Sequence, residues 1–95
     1  MAIEYLHDAI RASSGQDVRI AAKITDNEGA EITSACKLTL WNGNEIICET
    51  EGECVNGEWA FIIPESVTIE LHGRYFYTIS NNGEHLAFRQ PIYLI

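Results

Sequence analysis

The side chains that could perform chemistry are few and lie far apart in the chain. There are three cysteines and three histidines, and these are residue types that bind zinc. Structural zinc sites usually contain close cysteine pairs, whereas the nearest two cysteines here, Cys48 and Cys54, are six positions apart. His7, His72 and His85 fall in three separate segments. The sequence therefore predicts no metal site and no cofactor.

Nucleophilic catalysis needs a nucleophile, a base and an orienting group within hydrogen-bond reach. The sequence contains no Gly-x-Ser-x-Gly turn, and its adjacent candidate pair, His7 and Asp8, lies in the poorly specified N-terminal segment. The acidic turn Asp26–Gly29 has too few carboxylates for a calcium loop, which needs roughly twelve residues and a terminal glutamate. We therefore expect no catalytic residues.

Glutamates are concentrated in one hairpin region of the chain. They are Glu45, Glu49, Glu51, Glu53 and Glu58. Charges of this kind can form a solvated sheet edge that prevents edge-to-edge pairing. They can also form a docking patch for a basic partner. Both interpretations stay open at this point.

The length, net charge and cysteine number of the chain exclude several classes of function and partner. The 95 residues predict one domain spanning residues 1–95. A formal net charge of −8 argues against nucleic acid and against anionic membranes as partners, because both bind basic surfaces. The N-terminus lacks the basic start and apolar run of a secretory signal. An odd number of cysteines indicates free thiols in a reducing compartment, so synthesis in a cytoplasm is expected.

The segments that carry the cysteines, histidines and glutamates are predicted to be mostly β-strands. In Gly73–Ser80, every second residue (Tyr75, Tyr77 and Ile79) falls on one apolar face of an extended strand, and in Trp59–Ile63 the large residues alternate with Ala60 and Ile62. We expect the apolar faces of these two strands to pack against each other. The predicted core is Val18, Ile20, Leu38, Leu40, Trp59, Phe61, Tyr75, Tyr77 and Phe88.

The other segments show similar alternation between turn signals. Val18–Thr25 and Cys36–Trp41 are predicted strands. Asn42–Asn44 predicts a hairpin turn, with Ile46 and Cys48 pointing inward on the return strand. Residues 64–72 predict a crossing loop with about one helical turn, held by Val67, Ile69 or Leu71.

Residues 1–12 are ambiguous. They are consistent with an extended arm or a first strand, and the spacing of Ile3, Leu6 and Ile10 also fits a helix. Their apolar character predicts that an arm would dock onto a second copy or a partner by strand addition or apolar packing. The alternative is that the segment folds back as the first strand of its own sandwich.

Short strands at turn spacings of about eight to twelve residues indicate an all-β fold. We predict an immunoglobulin-like antiparallel β-sandwich of about seven strands. Three large apolar residues, Trp41, Ile62 and Phe76, fall on faces predicted to point outward. The predicted interaction surface comprises Ile3, Tyr5, Leu6, Ile10, Trp41, Ile62, Phe76, Glu45, Glu49, Glu51 and Glu53.

One ordered pattern resembles a known family. Gly15-Gln16-Asp17 precedes an alternating strand, Asp26–Gly29 forms a hairpin signal, and Gly73-x-Tyr75-x-Tyr77 opens a late strand. This order is similar to the N-terminal immunoglobulin-like sandwich of baseplate upper proteins in phages of Gram-positive bacteria and of related small phage and prophage proteins. The resemblance covers about residues 15–95, and it departs from the family pattern at Ile32–Ala35.

The resemblance implies a non-catalytic structural or assembly module of a virion tail or baseplate. Its expected partners are other virion or tail-assembly proteins, or further copies of the chain. It would be made in the bacterial cytoplasm and assembled into a virion. The alternatives are a cytoplasmic protein-binding sandwich unrelated to phage and an uncharacterised enzyme.

Overall fold

The structure is a computed structural model that describes residues 2–5, 10–85 and 89–95, and these form a sandwich of two β-sheets. The elements are β1 (Ala2–Tyr5), β2 (Ile10–Ala12), β3 (Val18–Thr25), β4 (Cys36–Asn42), β5 (Glu45–Glu51), β6 (Glu53–Val55), β7 (Glu58–Ile63), α1 (Glu65–Thr68), β8 (Gly73–Asn81), β9 (Glu84–His85) and β10 (Gln90–Leu94). The predicted immunoglobulin-like β-sandwich is confirmed.

The strands divide between two sheets. The first sheet has the order β1-β3-β7-β6, and the second has the order β2-β10-β8-β4-β5, with β9 paired to β8. The neighbouring strands are antiparallel, except that β2 runs parallel to β10. The glutamate-rich strands β5 and β6 therefore lie at one edge of each sheet, and β1 and β2 lie at the opposite edges.

Residues 2–5 and 10–12 are strands of the chain's own sandwich, one in each sheet. Ala2–Tyr5 pairs with β3, and Ile10–Ala12 pairs with β10. The expectation of a free arm that docks onto another chain is therefore wrong for these residues, as is the helical alternative. An interaction role for Ile3, Tyr5 and Ile10 stays a prediction, now for edge strands. Leu6, His7 and Asp8 lie outside the described residues.

Alternation along the strands produces the core, as predicted. Of the predicted core, Val18, Ile20, Leu38, Leu40, Trp59, Phe61, Tyr75 and Tyr77 are buried in one cluster, and Phe88 lies outside the described residues. The two aromatic strands β7 and β8 belong to opposite sheets and both contribute to this cluster. Their apolar faces meet because each presents every second residue to the space between the sheets.

One residue on β5 contradicts its predicted orientation. Ile46 was expected inward, but 48% of it is exposed, while Ile47 and Cys48 pack on the core. Leu40 lies opposite Cys48, and the next residue, Trp41, lies opposite Ile46. Ile47 is thus the extra residue of a β-bulge, which shifts the alternation by one position.

The crossing segment contains the single helical turn that was predicted, and two of the three residues expected to hold it do so. Val67 and Leu71 pack against the core as expected, but Ile69 is 62% exposed. The fully buried residue is Thr68. Its hydroxyl Oγ1 donates to the Gln16 carbonyl at 2.7 Å and accepts from the Gly15 N–H at 3.2 Å. A polar side chain can lie inside this junction because both of its hydrogen-bonding functions are used.

Two further hydrogen bonds hold the ends of this segment. The Asp17 carboxylate accepts from the backbone N–H of Glu65 at 2.7 Å and so caps the start of α1 from a distant part of the chain. The Tyr75 hydroxyl donates to the carbonyl of His72 and accepts from its N–H, both at 3.1 Å. This is the tyrosine corner found at the equivalent turn of immunoglobulin-type sandwiches.

Candidate interaction surfaces

The outer face of the second sheet carries two of the three outward apolar residues. Trp41 lies directly opposite Phe76 on β8 and opposite Ile46 on β5, so the three side chains form a row across three strands. Ile62 lies on the first sheet. The structure therefore brings Trp41 and Phe76 together and places Ile62 on the opposite side of the molecule.

Both aromatic rings of this row are partly covered by cations. The guanidinium carbon of Arg74 lies 4.9 Å from the Phe76 ring centre, and that of Arg89 lies 4.8 Å from the Trp41 ring centre. Arg89 also donates to the carbonyl of Gly43. These distances are within the range of cation–π attraction. Arg74 and Arg89 therefore cover part of the Phe76 and Trp41 rings, so this face of the second sheet is not a fully exposed apolar patch.

The Trp41 side chain explains an unexpected burial on this outer face. Its indole N–H donates to the hydroxyl of Thr78 at 2.9 Å. Thr78 and its cross-strand partner Thr39 are both buried, although they point away from the core. The indole is therefore held close over the sheet by a specific hydrogen bond.

The predicted glutamates divide between two edges. Glu45, Glu49 and Glu51 belong to β5, and Glu53 belongs to β6. Glu49 forms an exposed ion pair with Lys37 at 2.8 Å, and this hydrogen bond raises the pKa of Lys37 above its ordinary value. Glu51 and Glu53 make no ion pair among the described residues and flank Gly52, where the chain passes from one sheet to the other.

A groove lies on the outer face of the first sheet, beside β6. Its volume is about 720 Å³, and apolar surface from Val55, Ala60 and Ile62 lines it. Val55 is 64% exposed and Ile62 is 42% exposed. The groove brings the exposed side chains of Val55 and Ile62 together, and clusters of exposed apolar residues mark contact sites more often than single exposed residues do.

Charged side chains surround this groove. Glu51, Glu53 and Glu58 contribute carboxylates, and Arg19 forms an ion pair with Glu58 at 3.3 Å. The described rim thus contains three carboxylates and one guanidinium. Ile62 and the glutamates were predicted from the sequence to belong to an interaction surface, whereas Val55 and Arg19 were not. The Asn56–Gly57 hairpin signal was the available indication that Val55 ends an edge strand.

The three thiols are free, and two of them are poor nucleophiles in the folded chain. Cys36 is buried and Cys48 packs against the core, as predicted. Burial raises the pKa of the Cys36 thiol, and the hydrogen bond from Asn81 at 3.6 Å offsets part of this effect. Burial also raises the pKa of Cys48, with a smaller contribution from Glu49. Protonated thiols neither attack electrophiles nor bind metals effectively.

Neither a cluster of metal ligands nor a membrane-spanning helix occurs in the part of the chain that the structure describes. Within residues 2–5, 10–85 and 89–95, no three His, Cys, Asp or Glu side chains come together as metal ligands. Within the same residues, no helix has the length and apolar character needed to cross a membrane.

Comparison with known proteins supports the fold. No protein-family model and no curated protein matches the chain. Among solved structures, the chain is similar to the crystal structure of domains 4 and 5 of the S-layer protein SbsC, with a TM-score of 0.67 and 12% sequence identity. The match covers 100% of this chain and 51% of that one, so the chain spans about half the length of the S-layer structure. At this identity the likeness shows a shared fold.

Proposed function

We propose that the chain is a non-catalytic structural or assembly module that acts by protein–protein contact through the groove of the first sheet. The observation that carries the proposal is the exposure of Val55 and Ile62 beside Glu51 and Glu53. Covering these apolar side chains would remove hydrocarbon surface from water, at roughly 25 cal/mol per Å². The carboxylates beside them would select a basic partner surface.

The proposed setting is a virion tail or baseplate. The sequence resemblance described above supports it, because that family supplies virion structural domains and has no catalytic residues. The S-layer neighbour supports the broader role, since the same fold occurs there in a protein of a surface layer. The expected partners are tail or baseplate proteins, or further copies of this chain.

The proposal is tested in particles assembled in the producing cell. Particles purified after prophage induction should contain the chain, as measured by quantitative mass spectrometry. The double variant Glu51→Lys with Glu53→Lys should reduce its copy number per particle by about tenfold. A matched double variant, Glu28→Lys with Glu70→Lys, makes the same charge change at exposed positions away from the groove.

Both double variants should keep the thermal midpoint of the parent chain, which separates loss of contact from loss of folding. Absence of the parent chain from purified particles would overturn the virion setting. Equal incorporation of the two double variants would overturn the role of the groove.

A further inference from the structure

Beside the exposed side chains of the groove, the first sheet has an edge position that no strand of the described chain fills. We propose that it binds a short, extended, basic segment of a partner protein, which adds to β7 as a new strand in line with β6. This inference rests on the proposed function, because it specifies how the contact is made. Three features of the described residues support it: an unfilled position in the sheet, the direction of one peptide group, and the charge around the site.

The unfilled position lies before the first residue of β6, Glu53. This strand pairs with β7 through three residue pairs, the last being Glu53 with Ala60. On its other side β7 remains paired with β3 as far as Ile63, which lies opposite Val18. In the described chain no strand pairs with the β6 side of residues 61–63. The sheet therefore has a notch about 10 Å long, at roughly 3.3 Å per residue.

The hairpin between β6 and β7 determines which peptide groups face this notch. Asn56 and Gly57 have φ angles of 53° and 79°, as a two-residue type I′ turn requires. In such a hairpin the flanking residues Val55 and Glu58 exchange hydrogen bonds, and the pattern repeats at every second residue. It repeats at Ala60 and next at Ile62. The N–H and C=O of Ile62 consequently point into the notch, whereas those of its two neighbours point toward β3.

Side chains define the chemistry of the segment. Outward-facing residues of an added strand would lie beside Ile62 and the carboxylates of Glu51 and Glu53, which favours lysine or arginine next to a β-branched residue. On the inner side, the backbone of Gly52 lies against the Phe61 ring. Inward-facing residues of the segment must therefore be small. A pattern of large basic or β-branched residues alternating with glycine or alanine meets both conditions.

A fluorescein-labelled peptide with the sequence Lys-Ala-Val-Ala-Lys is a suitable probe, because its central Ala-Val-Ala matches the three-residue notch and its two lysines extend past the ends of the notch. It should bind the parent chain in a polarisation assay. The Glu51→Lys with Glu53→Lys variant should bind it about tenfold more weakly, and the Glu28→Lys with Glu70→Lys control should bind it like the parent. Two peptide controls separate the contributions: Glu-Ala-Val-Ala-Glu reverses the charge, and N-methylation of the central valine removes a strand hydrogen bond.

Amide hydrogen exchange measured by NMR tests the strand geometry directly. Saturating peptide should slow exchange at Ile62 by about tenfold, with little change at Phe61 and Ile63, whose amides already donate to β3. Failure of the peptide to bind, binding without protection of Ile62, or equal binding of the N-methylated peptide would each overturn strand addition. If the groove variant still loses its place in particles, the contact function stands and only this binding mode falls.

Discussion

Gly52 lies so close to the ring of Phe61 that a β-carbon at this position would stand 2.5 Å from Cε1. The same β-carbon would stand 2.7 Å from Cε3 of Trp59. Both rings are buried in the core and stack at a centroid distance of 5.9 Å, so neither can move aside without disturbing the other. Glycine is therefore required where the chain leaves the second sheet and enters the first.

Replacing Gly52 with alanine should destabilise the fold by about 1–3 kcal/mol, the usual cost of overpacking a core. The free energy of unfolding in urea measures this effect. The cost should be smaller in a Phe61→Leu background, because the narrower side chain relieves part of the overlap. An equal cost in both backgrounds would show that the ring of Phe61 is not the obstacle.

Replacing Thr68 with valine should cost about 1–3 kcal/mol, although the two side chains are nearly equal in size. Valine leaves the Gly15 N–H and the Gln16 carbonyl without their buried hydrogen-bond partner. The matched control is Ser66→Ala, at an exposed position of the same helical turn, which should change stability by less than about 0.5 kcal/mol. Similar thermal midpoints for the two variants would contradict the assigned role of Thr68.

Deleting residues 2–12 should lower the thermal midpoint, because the deletion removes β1 from β3 and β2 from β10. It also exposes two sheet edges that are paired in the intact chain, so the truncated protein should aggregate more readily. Calorimetry and light scattering measure the two effects. An unchanged midpoint would show that the segment is not part of the sandwich.

Alkaline pH should weaken the fold partly through Cys36. Burial raises its pKa above the ordinary value of 9.0, so the unfolded chain releases this proton at lower pH than the folded chain. The associated stability is complete below the ordinary value and is lost as the pH rises through the folded value. Unfolding free energies at about pH 8 and about pH 10 should differ less in Cys36→Ala than in the parent. The same difference in both proteins would contradict this linkage.

The fold was predictable where one physical rule dominated. Alternation of apolar and polar residues identified the inward faces of β3, β4, β7 and β8, because one face of each strand must leave water. The same rule failed at Ile46, since the extra residue Ile47 of the bulge puts Ile46 and Cys48 on opposite faces of the sheet. No pattern in the neighbouring sequence indicates that strand β5 will contain an extra residue at this position.

Long-range hydrogen bonds were not predictable. Asp17 and Glu65 are far apart in sequence, as are Gln16 and Thr68. The hydrogen bonds within each pair form only when residues 64–72 pack against the sandwich. The groove was predictable only in part. Its glutamates and Ile62 were identified from composition and alternation, but the notch exists because β6 begins only at Glu53, so that its pairing with β7 stops at Ala60.

Site-specific photo-crosslinking inside the producing cell tests the central claim most directly. A benzophenone side chain would be placed at Val55 in the groove or at Ile69 beside α1, two positions that are 64% and 62% exposed. We predict a defined crosslinked product from position 55 that co-purifies with assembled particles, and no such product from position 69. Equal labelling from both positions, or an uncrosslinked chain at position 55, would contradict a contact made through the groove.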